Sequence, residues 1–158
     1  MPPTTELVPG TELGELVDHA DVDLRAQIAP GQVARSLVRR TLKGWADVER
    51  IDNAVLVASE LIGNAALHGG GPIRMTLDVY TRGAVVAVLD HSTDFAAVSM
   101  PPSSTGSDHA DGIGPDTNAP HGRGLFLITH LATAWTVKRE AQGKAVVAIF
   151  SLPDGGQR

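Results

Sequence analysis

The stretch ELIGNAALHG, residues Glu60 to Gly69, combines small and apolar residues with polar residues at four-residue intervals. The three polar residues are Glu60, Asn64 and His68. On an α-helix this spacing places their side chains on one stripe. We therefore predict a largely buried helix that starts between Asp47 and Asp52, ends at the glycine run 69–71, and turns a polar stripe toward a cleft.

The stripe has two interpretations. A carboxylate and a carboxamide are costly to bury without partners, so their position suggests a polar pocket. In such a pocket Asn64 can offer a neutral oxygen to Mg²⁺, and Glu60 can orient a water or accept a proton. The alternative is a solvated stripe, which the spacing alone favours slightly. His68 lies beside the glycines, where we expect a capping or solvated role.

The sequence before this helix predicts an arm, a strand and a first helix. Residues Met1 to Ala20 are rich in Pro, Gly, Thr and acidic groups, which predicts a flexible arm ahead of a domain over 21–153. Apolar residues alternate from Val22 to Ile28, which is typical of a strand. Helical spacing of apolar residues then predicts an amphipathic helix from Val33 to about Gly44.

Two hairpins separated by a long loop follow the second helix. Ile73 to Val79 and Val85 to Leu89 predict the first hairpin. Residues Pro101 to Pro120 hold one large apolar residue, Ile113, and suit a functional loop, which we place as a lid around 99–121. The remaining expected elements are a helix over 122–131, strands over 135–139 and 146–152, and a tail over 154–158.

This order of elements predicts an α/β (α+β) fold. It is a two-layer sandwich in which about three helices cover one face of a mixed, mostly antiparallel sheet. The other face is then available to solvent or to a partner.

Asp90 ends an apolar strand at the point where the sequence becomes polar. Its oxygens can accept a hydrogen bond from the exocyclic amine of adenine, whereas guanine carries an oxygen at the corresponding position. An aspartate that opens a turn is the commoner explanation of an isolated case.

A pair of glycines precedes the predicted third helix. The segment consists of Gly122, Arg123, Gly124 and Leu125. Glycines let backbone N–H groups approach an anion, and a helix start adds a favourable dipole, so this segment suits a phosphate. Arg123 could add positive charge there. Most glycine pairs of this kind are only turns.

Composition limits the classes of protein to consider. The chain has 158 residues, 42% of them hydrophobic, no cysteine and a formal net charge of −5. We expect one cytoplasmic domain without disulfides or membrane spans. Direct nucleic-acid binding is not expected, because there is no dense stripe of Lys and Arg.

Taken together, ELIGNAALHG, the strand-ending Asp90, a long variable segment and HGRGLFLI at His121 to Ile128 resemble the Bergerat-fold ATPases. Gyrase, heat-shock chaperone, histidine kinase and mismatch-repair ATPases share this fold. The chain is most similar to stand-alone bacterial anti-sigma-factor serine/threonine kinases, and the resemblance covers about Val22 to Leu152.

The resemblance implies a role for each motif. Glu60 would be the catalytic base and Asn64 the Mg²⁺ ligand, while Asp90 would contact the adenine amine of ATP. The glycine box beneath the lid would contain Gly122 and Gly124. Proteins of this kind sequester a sigma factor, phosphorylate a serine or threonine on an anti-anti-sigma partner, and often form dimers, so transcription regulation is the implied process.

One motif departs from the family pattern. The first glycine box usually reads Asp, any residue, Gly, any residue, Gly, but Ser92 and Asp94 occupy the glycine positions here. Side chains at these positions restrict the approach of the backbone, and Asp94 adds negative charge beside an anionic ligand, so weaker ATP affinity is expected.

Two other functions remain open on the sequence. One is a nucleotide-binding or nucleotide-degenerate interaction module without kinase activity. The other is a zinc hydrolase using His91, His109 and His121, which lack a short helical ligand motif. A sensor histidine kinase, topoisomerase or mismatch-repair subunit needs further domains for which this length has no room.

Overall fold

The computed structural model describes residues 13–68, 70–92 and 128–152 of the chain. Within them, five strands and two helices follow one another along the sequence. They are β1 (Leu16–Asp23), α1 (Pro30–Leu42), α2 (Val48–His68), β2 (Pro72–Tyr80), β3 (Gly83–Asp90), β4 (Ala134–Glu140) and β5 (Gly143–Ser151). Residues 128–131 are also helical.

The strands form one sheet in the spatial order β1-β2-β3-β5-β4. Each of the four pairings between these described strands is antiparallel. Two-residue loops impose this direction in both hairpins, because Tyr80 pairs with Gly83 and Glu140 pairs with Gly143. The α+β class is confirmed, and no mixed pairing is found among the described strands.

α1 has a buried face and a basic end. Pro30 begins the helix, where its missing N–H breaks no intrahelical hydrogen bond. Arg39 and Arg40 lie in the last turn, where positive charge complements the helix dipole. The buried side chains of α1 are Ala34, Leu37, Val38 and Leu42. The predicted amphipathic helix is therefore confirmed.

Residues at both ends of α2 form hydrogen bonds with backbone groups of its terminal turns. The Asp47 carboxylate accepts the backbone N–H of Arg50 at 2.8 Å, which caps the start of the helix. At the other end the N–H of Gly71 donates to the carbonyl of Ala65 at 2.9 Å. Gly70 and Gly71 have φ values of +75° and +106°, which only glycine adopts freely. Both predicted ends of this helix are confirmed.

The main core lies between the helices and one face of the sheet. On β3 the helix-facing residues are the even-numbered ones, Ala84, Val86 and Val88, and on β5 they are Val146, Ala148 and Phe150. Alternation along a strand sends the odd-numbered residues to the opposite face.

The face of the sheet turned away from the helices also has a buried apolar cluster. Its members are Leu13, Tyr80, Val85, Ala87, Ala145, Val147 and Ile149. Both faces of β3 and β5 are therefore buried, unlike the open second face that the sequence suggested. The sequences of these two strands are almost continuous runs of valine and alanine, which is typical of strands that are buried on both faces.

The first strand lies earlier than the sequence predicted. We expected an arm through Ala20 and a strand from Val22 to Ile28, but β1 spans Leu16–Asp23, Leu13 is buried and Ile28 is fully exposed. β1 is an edge strand with many polar, solvent-facing residues, so its composition resembles a loop. No helix in the described residues is long and apolar enough to cross a membrane.

Gly143 lies in close contact with the end of β3. A Cβ atom at this position would lie 2.0 Å from the backbone oxygen of Asp90. We therefore expect Gly143→Ala to lower the free energy of unfolding by about 1–3 kcal/mol, as overpacking does. In the control Gly63→Ala, the added methyl meets nothing within 4 Å on α2. That change should stabilise the fold by about 0.5–1 kcal/mol. Equal urea midpoints for wild type and Gly143→Ala would contradict this account.

A polar cluster joins the edge strand β1 to β2. His19 is paired in register with Asp78, and its Nδ1 hydrogen-bonds the Asp78 carboxylate. Its Nε2 lies 3.1 Å from a carboxylate oxygen of Asp21, and Arg74 donates to the other oxygen of Asp21 at 3.0 Å. The hydrogen bond to Asp78, followed by that to Asp21, raises the pKa of His19 above its ordinary value. Protonated His19 therefore stabilises the docking of β1.

This cluster should make stability depend on pH. Because the folded pKa of His19 is raised, its contribution is complete below the unfolded value of 6.5 and is lost as pH rises through the folded value. We expect His19→Gln to cost about 0.2–1 kcal/mol near pH 5.5, the range for exposed pairs, and less near pH 8.5. Urea unfolding of both proteins at both pH values measures the difference. A cost independent of pH would refute the assignment.

Candidate functional site

A buried ion pair lies where β3 ends and β5 begins. Nζ of Lys144 lies 2.9 Å from Oδ2 and 3.2 Å from Oδ1 of Asp90, and the two side chains are 2% and 3% exposed. Asp90 and Lys144 are register partners in the sheet. Both continue the even-numbered series of their strands, so both side chains point toward the helical layer.

The polar stripe of α2 runs from partial burial through burial to solvent. Glu60 is half-buried, Asn64 is 7% exposed, and His68 is exposed at the helix end. Leu61 and Ala65, on either side of Asn64, both belong to the core between the layers. The solvated-stripe interpretation is therefore wrong for Asn64 and fits His68. The four-residue spacing could not distinguish these cases, because it shows which side of the helix the side chains share but not how deeply each is buried.

Asn64 carries an unsatisfied polar atom. In the described part of the chain, its Nδ2 is the one buried side-chain nitrogen or oxygen without a hydrogen-bond partner. Such an atom costs about 1–3 kcal/mol, so its retention suggests that a ligand completes it. The side-chain amide offers an oxygen that suits Mg²⁺ and an N–H that can donate to a phosphate oxygen. Asn64 therefore fits a magnesium-bound triphosphate.

The end of α2 and the end of β3 are neighbours. Asp90 pairs in register with Pro72, which follows the end of α2 at His68 by four residues. A Cβ atom on Gly70 would lie 3.3 Å from Cβ of His91. The C-terminal turns of α2, with Asn64, and the carboxylate of Asp90 therefore lie at the same end of the two layers.

A tight turn follows Asp90. The backbone N–H of Ser92 donates to Oδ1 of Asp90 at 2.8 Å, so the carboxylate caps the turn as well as pairing with Lys144. This agrees in part with the commoner interpretation of Asp90 as a turn residue. The turn leaves Oδ2 with Lys144 as its one recorded donor among the described residues.

Several predicted site residues lie outside the described residues. They are Gly122, Arg123, Gly124, Leu125 and Asp94, together with the proposed lid over 99–121. Their predicted contacts with phosphate therefore stay predictions. Within 13–68, 70–92 and 128–152 there is no group of three or more His, Asp or Glu side chains placed to hold a metal. His109 and His121 of the zinc alternative also lie outside these ranges.

Sequence reasoning missed Lys144. A signal was present, because GKAVVAIF places a lysine in phase with Val146 and Ala148 on a strand that is otherwise apolar. A long cation at an inward position needs a buried anion nearby, since an isolated buried ammonium is too costly. The matching inward carboxylate at the end of β3 is Asp90.

This arrangement defines an α+β domain with buried polar residues, a candidate ligand site, at one end of its helices and sheet. The chain belongs to the family of histidine kinase-like ATPase domains, whose model matches residues 26–150. No curated protein matches the chain. Family membership confirms the Bergerat-type resemblance at the level of the ATPase domain, and it implies ATP, typically with Mg²⁺, as the ligand.

The unsatisfied amide of Asn64 yields a test. We expect Asn64→Leu to raise the free energy of unfolding by about 1 kcal/mol, because it removes a buried polar group that has no partner. The same change should abolish stabilisation by MgATP, which the wild type should show as a rise in melting temperature. Asn53→Leu, at a half-buried position earlier on α2, is the control and should retain that rise. An Asn64→Leu protein that keeps the full MgATP shift would exclude Asn64 from the site.

Proposed function

We propose that the protein is an ATP-binding regulator that acts as an anti-sigma-factor-like serine/threonine kinase. One observation carries the proposal: Asp90 and Asn64, whose Nδ2 is unsatisfied, are both buried at the same end of the two layers in a chain that belongs to the histidine kinase-like ATPase family. These are the two residues that the motifs assign to the base and to the metal of the nucleotide.

The roles of the residues follow from their chemistry. MgATP supplies the phosphoryl group when bound. Asp90 accepts a hydrogen bond from the base, and Asn64 holds the metal and phosphate end of the ligand. Glu60 lies one helical turn before Asn64 and is less buried. We assign to it the role of general base, which accepts the proton of an incoming serine or threonine hydroxyl as the new phosphate ester forms.

The partners also belong to the proposal. The residue that accepts the phosphate is a serine or threonine on an anti-anti-sigma-type protein. The second partner, which the chain sequesters, is a sigma factor. The proposal also includes a homodimer of this chain and a cytoplasmic location. The motif resemblance supports these assignments.

A specific observation favours a second candidate, a nucleotide-responsive interaction module without phosphotransfer. Lys144 already donates to both oxygens of Asp90, and Ser92 stands at a position where the family usually has glycine. A bound adenine must therefore share the carboxylate of Asp90 with the ammonium of Lys144. In such a module, nucleotide binding would change partner affinity and no phosphate would be transferred.

Phosphate transfer distinguishes the two candidates. The purified chain is incubated with Mg²⁺, γ-labelled ATP and purified anti-anti-sigma-type proteins from the same organism. We expect label on serine or threonine, stable to acid that hydrolyses phosphohistidine. Glu60→Gln should reduce the rate about 10²–10⁴-fold, the usual contribution of a general base, with MgATP binding retained. The matched control is Glu49→Gln, at the exposed first turn of α2, which should retain the wild-type rate.

Each result selects one candidate. Label transfer that Glu60→Gln leaves intact would remove Glu60 from the chemistry. MgATP binding without transfer to any of these proteins, accompanied by a change in their affinity for the chain, would favour the interaction module. Absence of MgATP binding would refute the kinase and the nucleotide-responsive module, and would favour a nucleotide-degenerate interaction module.

A further inference from the structure

The Asp90–Lys144 pair changes what the site can recognise. An aspartate alone presents only acceptors, so it favours the amine of adenine and repels the O6 oxygen of guanine. In this protein the carboxylate is paired with a buried ammonium at 2.9 Å and 3.2 Å. The pair carries no net charge, and it presents a donor beside an acceptor.

Hydrogen-bond capacity remains on both partners. An ammonium has three N–H donors, and in the part of the chain that the structure describes both recorded bonds of Lys144 go to Asp90. Oδ1 of Asp90 accepts from Lys144 and from the N–H of Ser92, while Oδ2 accepts from Lys144. Among the described residues, one N–H of Lys144 and one lone pair on Oδ2 therefore have no partner in the protein.

Both purines match this donor and acceptor pair. Guanine presents the O6 acceptor beside the N1–H donor, so O6 can accept from Lys144 while N1–H donates to Asp90. Adenine presents the opposite order, with its acceptor at N1 and its donor at position 6, so the same two protein groups can hold it when its edge is reversed relative to that of guanine. The pair thus removes the repulsion of O6 by which a lone carboxylate rejects guanine.

We propose that Lys144 is a specificity-determining residue that makes this site accept guanine as well as adenine nucleotides. This inference rests on the proposed function, because it assigns the base to Asp90. It adds that the ligand class is a purine nucleoside triphosphate and that base selectivity is set by β5 rather than by the glycine box.

The test is calorimetric titration of the full chain with the Mg²⁺ complexes of ATP, GTP and ITP. ITP keeps O6 and N1–H but lacks the guanine amine, so it isolates the contacts assigned to the ion pair. For the wild type we expect GTP and ITP affinities within about tenfold of the ATP affinity. In Lys144→Met the ratio of GTP to ATP affinity should fall by about 10- to 100-fold, the value of one good base contact.

Two further variants control the experiment. Lys144→Thr leaves a hydroxyl and room for water beside Asp90, so it should fold and become adenine-selective even if Lys144→Met is unstable. Lys138→Met removes a lysine from the adjacent strand β4, where Nζ lies 3.8 Å from Glu140. It should leave the GTP to ATP ratio unchanged.

The outcomes separate this inference from the proposed function. ATP binding at least about a hundredfold tighter than GTP in the wild type would overturn the inference and leave the ATP-binding function standing. A GTP to ATP ratio unaffected by either Lys144 substitution would also overturn it. If the wild type binds none of the three nucleotides, the inference and the proposed function both fail.

Discussion

The packing of α2 against the central strands is the constraint on which the site depends. Helix residues such as Val57, Ala58 and Leu61 are almost completely buried, and each large apolar side chain buried this way contributes roughly 1.5–3 kcal/mol. That contact fixes the rotation of α2. Because Asn64 lies one turn beyond Glu60 and between core residues, the same rotation buries its amide and leaves Nδ2 without a hydrogen-bond partner among the described residues. The stability gained by burying the apolar residues of α2 thus offsets the cost of burying the amide of Asn64.

At the same end of the sheet, the buried charges are paired with one another, unlike Nδ2 of Asn64. Asp90 and Lys144 satisfy one another, so the buried carboxylate costs less than an isolated ion. Nδ2 of Asn64 has no such partner among the described residues. Under the proposed function, the end assigned to the metal is left for a ligand to complete, whereas the end assigned to the base is already neutralised. This difference explains how one chain can have strong ATPase-family motifs together with an altered base site.

The sequence was most informative where local rules decide the structure. The capping aspartate and glycine run defined α2, and alternating apolar residues with short turns defined both hairpins. It was least informative for β1, an edge strand whose polar residues resemble a loop until pairing with β2 is known. In the site, Asp90 and Asn64 were found from their contrast with apolar neighbours. Lys144 was missed because its meaning comes from a partner 54 residues away, a contact that spacing does not reveal.

The sheet order has a consequence for how the chain folds. Each hairpin closes through a two-residue loop, so β2 with β3, and β4 with β5, can form from local contacts within microseconds. Joining β3 to β5 requires closure of the intervening segment, and this non-local step is slower because its entropy cost precedes its contacts. The Asp90–Lys144 pair forms only in that step. The base recognition proposed for this pair is thus acquired late in folding, after the two hairpins have formed and β3 has paired with β5.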